Sequence, residues 1–176
     1  MIETLISSKT RIKLLIKFFL NSNTTAYLRG LEEEFGESTN SIRLELNRFE
    51  KAGFLESHSE ANKKVFQVNA KHPLFKDINS IVLKLVGLDH VIDYVLQQMG
   101  DLKQVYLVGN LSKGKDSEVI DLVLVGDINE VFLKELIVKA EKKIHKTIHY
   151  VHYKEEEFDL KLITKAGINP LLLWSK

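Results

Sequence analysis

Three short stretches of helical periodicity, the last two separated by a tight turn and followed at once by a hairpin pattern, constrain this chain more than any other feature. From Ser7 to Leu20 the apolar residues Ile12, Leu15, Ile16, Phe19 and Leu20 recur at helical spacing, while Lys9, Arg11, Lys13 and Lys17 fill much of the rest. After the polar break Asn21-Ser22-Asn23, Thr24 or Thr25 is placed to cap a second helix carrying Leu28, Leu31 and Phe35, which Gly36 ends in the left-handed conformation. Ser38 or Thr39 caps a third helix with Ile42, Leu46 and Phe49 turned inward, closing at Ala52-Gly53. Two strands follow, Phe54 to His58 and Lys63 to Val68, around a polar tip Ser59-Glu60-Ala61-Asn62.

The rest of the chain has a different rhythm. His72-Pro73 punctuates it, and Ile78, Ile81, Val82, Leu85, Val91, Ile92, Val95 and Leu96 then mark a helical stretch interrupted near Gly87. Beyond Gly100 come the strand Val105 to Val108, a glycine-bearing loop, a strongly apolar strand from Val119 to Val125, a helix from Glu130 to Ile144 and an alternating strand from Thr147 to Tyr153. A short helix from Glu155 to Leu162 and the apolar tail Leu171-Leu172-Leu173-Trp174 complete it. The order predicts an α+β protein with one domain at residues 1–76, a connecting helical segment at 77–100 and a small α/β domain at 101–176.

Composition narrows the classes without choosing one. The 25 Lys and Arg nearly balance 24 Asp and Glu, so net charge neither supports nor excludes a nucleic-acid partner. The chain has no cysteine, which removes disulfides, thiolate zinc sites and cysteine nucleophiles together, and fits a reducing compartment. The start carries charges among its apolar residues, and no later run approaches the length of a membrane span. The expectation is a cytoplasmic protein with no membrane partner.

A helix that reads the major groove needs an apolar face to stay docked and a polar, partly basic face to meet base edges and phosphates. With Ile42, Leu46 and Phe49 inward, the third helix leaves Thr39, Asn40, Arg43, Asn47 and Arg48 outward, with Arg43 and Asn47 one turn apart on the same side. Arginine can donate two hydrogen bonds to guanine and asparagine can bridge adenine. Lys63 and Lys64 on the hairpin are candidate phosphate contacts, because a mobile ammonium needs no fixed geometry to neutralise a phosphate.

The stretches SKTRIKLLIKFFLN, YLRGLEEEFGESTNSIRLELNRFEKAGFLES and NKKVFQVNAKHPLF, spanning residues 7 to 76, resemble the winged helix-turn-helix domain of ArsR-like regulators. The most distinctive parts are Ser41 to Leu46, the turn Glu50 to Leu55 into the wing, and Asn69 before His72 to Phe75. Leu44 stands where these proteins often carry a basic residue, and Ala61 replaces the usual wing glycine. Metal-sensing relatives use cysteine thiolates or clustered His and acidic ligands. Without cysteine the thiolate route is closed, and His149 and His152, three apart on a strand, point to opposite faces. They and His145 are read as surface or packing residues, as are His58, His72 and His90, and no metal site is expected.

The segment VYLVGNLSKGKDSEVIDLVLVG resembles the opening of the DNA polymerase β-like nucleotidyltransferase fold, in particular the minimal nucleotidyltransferases, and the similarity runs from about residue 88 to 162. Those enzymes follow a strand with Gly-Ser, a basic Arg-Gly loop and a strand bearing Asp-x-Asp, whose two carboxylates project from one face to hold magnesium. Here Gly109-Asn110 stands for Gly-Ser, Lys113-Gly114 for Arg-Gly, and Val119-Ile120-Asp121 for Asp-x-Asp, so Asp121 alone remains of the pair. Glu118 would point to the opposite face, and the strand Ile148 to Tyr153 contains no acid. The resemblance therefore implies a domain without nucleotidyl transfer, in which Gly109, Asn110, Ser112, Lys113, Gly114 and Asp121 form a nucleotide or phosphate pocket or simply a loop.

Together these readings predict a regulator that binds double-stranded DNA as a homodimer, with no resident cofactor and with the second domain available for pairing, for a nucleotide or other small-molecule effector, or for a partner protein. Two rivals remain at this level: an active metal-dependent nucleotidyltransferase whose first domain binds a target, and a winged-helix interaction module that does not touch DNA.

Overall fold

The computed structural model describes residues 4–92, 101–164 and 170–176. The chain is mixed α and β and divides into two compact units, Met1–Val82 with Gly114–Asp116, and Leu83–Lys113 with Ser117–Lys176. Among the described residues no helix is long and apolar enough to cross a membrane.

In the first unit, α1 (Lys9–Phe19) starts where the Ser8 hydroxyl accepts the Arg11 N–H. Its buried side is Leu14, Ile16, Phe18 and Phe19, so Ile12 and Leu15, expected inward, are only half-buried. Lys17 is buried too, with its ammonium 2.8 Å from the Glu34 carboxylate. A pattern reading places lysine outside by default; here an ion pair lets the helix rotate it inward.

The structure also corrects the approach to the second helix. Thr25 to Tyr27 form a short strand, β1 (Thr25–Tyr27), and α2 (Leu28–Phe35) begins only after it, with Tyr27 at the cap and no capping side chain. β1 pairs antiparallel with β3 (Lys63–Val68), giving the β3 backbone groups partners on the edge away from the other hairpin strand. Gly36 ends α2 with φ +63°, the left-handed closure expected of it.

Helix α3 (Thr39–Lys51) is capped by Ser38 and buries Ile42, Leu46 and Phe49 as the periodicity predicts. β2 (Leu55–Glu60) and β3 then form a hairpin whose loop is only Ala61-Asn62. Ser59 and Glu60, read as tip residues, belong to the strand and face Lys64 and Lys63. Both loop residues have positive φ, 43° and 65°, the backbone that a two-residue loop needs to match strand twist. The three-stranded sheet has the order β1-β3-β2. Asn69 closes its base, donating through Nδ2 to the Gly53 carbonyl at 3.0 Å.

The helix α4 (Phe75–Val86) stacks Phe75 on Phe19 at 5.9 Å, and Asn79 donates to the Phe19 carbonyl. Gly87, with φ +84°, interrupts the helical stretch as expected, and α5 (Leu88–Val91) follows. Val95 and Leu96, counted in the same stretch, lie outside the described residues.

In the second unit, β4 (Leu102–Val108), α6 (Gly109–Ser112), β5 (Val119–Gly126), α7 (Glu130–Ile144) and β6 (Thr147–Tyr153) follow in sequence. The last helix is shorter than predicted: Glu155–Glu157 make one 3-10 turn, and α8 (Leu160–Thr164) starts beyond Phe158. Phe158 packs on Tyr106 and Tyr153, which breaks the helical run in favour of burying the ring. The apolar tail becomes β7 (Leu171–Ser175), antiparallel to β4, and the four-stranded sheet reads β6-β5-β4-β7 with β5 and β6 parallel. β5 buries Ile120, Leu122 and Leu124 on one face and Val123 and Val125 on the other, which explains the apolar run from Leu122 to Val125. Val123 and Val125 pack with Tyr106 and with Ile163 of α8.

Candidate nucleic-acid interface

The presentation of α3 rests on a charge that the sequence pattern does not reveal. Glu45 is buried, and its carboxylate accepts Arg11 Nε at 2.9 Å and Arg11 Nη2 at 3.1 Å, and Arg48 Nη1 at 2.9 Å. Burial alone would push the Glu45 carboxyl up. The Arg11 hydrogen bonds and the charges of Arg11 and Arg48 outweigh it and hold the group below the usual carboxylate range. Arg48, a candidate DNA contact by sequence, is thus engaged on its own helix, although its side chain is still largely exposed.

Arg43 and Asn47 are different. Both are exposed, one turn apart, and neither has a hydrogen-bond or ion-pair partner among the described residues. Asn40 is exposed on the first turn, while Thr39 is half-buried and the capping role falls to Ser38.

Arg43 and Asn47 line a groove of about 610 Å³ whose other wall is the hairpin, with Asn62, Lys63 and Lys64. Arg29, on the first turn of α2, opens into the same groove, is exposed, and likewise has no partner among the described residues. Sequence reasoning passed over it. Its only signal was a cation at the start of α2, and its proximity to Arg43 depends on how α2 meets the sheet. The hairpin lysines are held by local contacts: Lys63 Nζ lies 4.2 Å above the Tyr27 ring, and Lys64 Nζ lies 5.0 Å from the Phe66 ring centroid and 2.7 Å from Glu50 Oε2. Hydrogen bonds from Lys64 and then Ser57 hold the Glu50 carboxyl low.

The second unit brings together part of the other predicted set. Gly109, with φ +71°, turns the chain from β4 into α6 directly against Asp121 of β5: a side-chain carbon on Gly109 would stand 2.2 Å from Asp121 Oδ2. Across the parallel pairing, Asp121 is in register with His149, whose Nδ1 lies 3.4 Å from Asp121 Oδ1. Ser112 does not join such a pocket, since it is buried and donates to the Gly109 carbonyl at 3.0 Å. Gly114 does not join it either, being buried and grouped with the first unit, whereas Asn110 and Lys113 are exposed. His152 points away from His149, with Nε2 at 2.8 Å from the Gly126 carbonyl. Among the described residues no three His, Asp or Glu side chains are grouped as metal ligands would be.

No protein-family model and no curated protein matches this chain. The crystal structure of a predicted DNA-binding transcriptional regulator from E. coli is similar over 49% of this chain and 84% of that one, at 18% identity and a TM-score of 0.37. A likeness that shallow assigns neither a family nor a function.

Proposed function

We propose that this chain is a DNA-binding transcriptional regulator whose first unit is a winged helix-turn-helix of the ArsR-like kind, with α3 in the major groove and the β2–β3 hairpin on the phosphate backbone. One observation carries the reading: Arg43 and Asn47, exposed and without a partner among the described residues on a helix whose other side is firmly buried, share a groove with Arg29, Lys63 and Lys64. Unengaged donors suited to guanine and adenine stand there beside cations suited to phosphate. Four cations around one groove suit a polyanion.

In the same proposal the second unit is a nucleotidyltransferase-like domain that no longer transfers nucleotides. Its path from strand through short helix, strand, long helix and parallel strand fits that resemblance. Val119 stands where the second carboxylate of the pair would be required to hold paired magnesium ions, and Asp121 is left facing His149. The unit would then serve in homodimer pairing or in binding a nucleotide or other small-molecule effector. A dimer would offer two recognition helices to successive major-groove faces, and an effector would act by binding the DNA-competent arrangement differently from the other.

Selection of bound duplexes from a pool of genomic fragments tests the proposal. Enrichment of a shared, two-fold symmetric motif is expected, whereas recovery of fragments with no common sequence would count against it.

A further inference from the structure

Glu50 follows Asn47 by three residues on α3, so Arg43, Asn47 and Glu50 succeed one another along one side of the helix, and the last of them is an anion. Its two oxygens are both engaged by the hairpin: Oε2 accepts Lys64 Nζ at 2.7 Å and Oε1 accepts the Ser57 hydroxyl. Lys64 is one of the cations lining the proposed DNA groove, and its side chain is half exposed. The ammonium that a phosphate would seek is therefore already neutralised by a carboxylate of the same protein, held in place by a neighbouring hydroxyl.

Resting on the DNA-binding reading above, we propose that Glu50 is an attenuator of DNA affinity: its carboxylate occupies Lys64 as a phosphate oxygen would, and Lys64 reaches DNA only by leaving it. The exchange replaces one charge-assisted hydrogen bond by another, so the net gain from Lys64 is small although the contact can form. Phosphate contacts are blind to sequence, so the attenuation falls on all duplexes alike and leaves ranking among them to Arg43 and Asn47. A carboxylate at this place keeps the protein off bulk DNA without altering what it reads.

The test is a thermodynamic cycle on the full-length chain with Glu50→Gln, Lys64→Gln and the double variant. Binding to a selected duplex and to a random duplex is measured across salt concentrations. Glu50→Gln keeps the shape and the acceptor for Ser57 while removing the charge. It is expected to tighten binding to both duplexes by about five- to tenfold near physiological salt and to steepen the salt slope by about one unit. In the Lys64→Gln background the gain should fall below about twofold. Glu56→Gln, an exposed acid on β2 outside the groove, should change neither quantity.

Unchanged or weaker binding by Glu50→Gln overturns the inference, as does a gain that persists without Lys64. If Glu50→Gln does not fold, Glu50→Met, which fills a similar volume without charge, is read by the same criteria. Wild type binding DNA with an unresponsive Glu50 variant sinks this inference alone. Failure of wild type and variants alike to bind any duplex sinks the DNA reading with it.

Discussion

Arg11 on α1 grips Glu45 on α3 through two hydrogen bonds to its two carboxylate oxygens, 2.9 and 3.1 Å long, and Glu45 is buried beneath it. The pair ties α3 to α1 on the side where Ile42, Leu46 and Phe49 are buried, and so reinforces the rotation that leaves Arg43 and Asn47 outward. Removing the carboxylate leaves Arg11 without its acceptor, and loss of a bidentate, charge-assisted contact costs about 2–3 kcal/mol. Glu45→Ala should lower the denaturant midpoint of the first unit accordingly. Arg48→Ala, which removes only the more exposed partner, should change it by less than about 1 kcal/mol.

Acid should weaken the same unit. Glu37, Glu45 and Glu50 all have carboxyls held below their ordinary value. For Glu37 and Glu45 burial opposes the shift, and hydrogen bonds from Lys13 and Arg11 respectively, with further basic neighbours, prevail; for Glu50 the Lys64 and Ser57 hydrogen bonds dominate. A depressed native value means that the stabilisation is complete above the unfolded-state pKa of about 4.3 and drains away as pH falls through the lower native values. Thermal melts should thus be flat in this respect from neutrality down to about pH 5 and fall steeply below about pH 4. In Glu45→Gln the acid-side fall should be shallower.

Ala61 holds φ at +43° in the two-residue loop between β2 and β3, a conformation that costs a residue with a side-chain carbon about 1 kcal/mol. Ala61→Gly should therefore raise the stability of the hairpin unit by up to about 1 kcal/mol, less the extra freedom that glycine has in the unfolded chain. Denaturant unfolding checks the sign, and a destabilised variant would contradict the turn geometry.

How much of this was legible in sequence depended on whether a residue's place was set by its own segment. α7 and β6 begin and end where periodicity puts them, and α3 turns inward the three apolar residues chosen for it, because each is decided by the spacing of apolar side chains along one element. β1 was not legible: Thr25 to Tyr27 become a strand only because β3 lies alongside with an edge to fill. Glu45 and Lys17 escaped for another reason. A charged residue is read as exposed unless its partner is known, and those partners, Arg11 and Glu34, come from other helices. The groove carried the same limitation, since Arg43 and Asn47 could be named from α3 alone, but Arg29 and the Glu50–Lys64 pair required the fold.

In the second unit, Gly109 and Asp121 are fitted to one another. A side-chain carbon on Gly109 would collide with the Asp121 carboxylate and would also hold an unfavourable φ of +71°. Gly109→Ala should destabilise the unit by about 2 kcal/mol or more, combining the backbone cost with displacement of Asp121. Asp121→Ala, made in the same background, should recover most of the steric part and leave the backbone part of about 1 kcal/mol. Urea unfolding followed by a probe in the second unit, such as Trp174 fluorescence, would show no recovery if the close approach were absent.

The proposed function depends above all on α3 reading DNA with Arg43 and Asn47, and equilibrium binding to a selected duplex and its single-base variants tests this most directly. We predict that Arg43→Ala and Asn47→Ala each weaken binding to the preferred duplex by about 1–3 kcal/mol and flatten base preference at one position per half-site. Binding by both variants with wild-type affinity and wild-type base preference would contradict it.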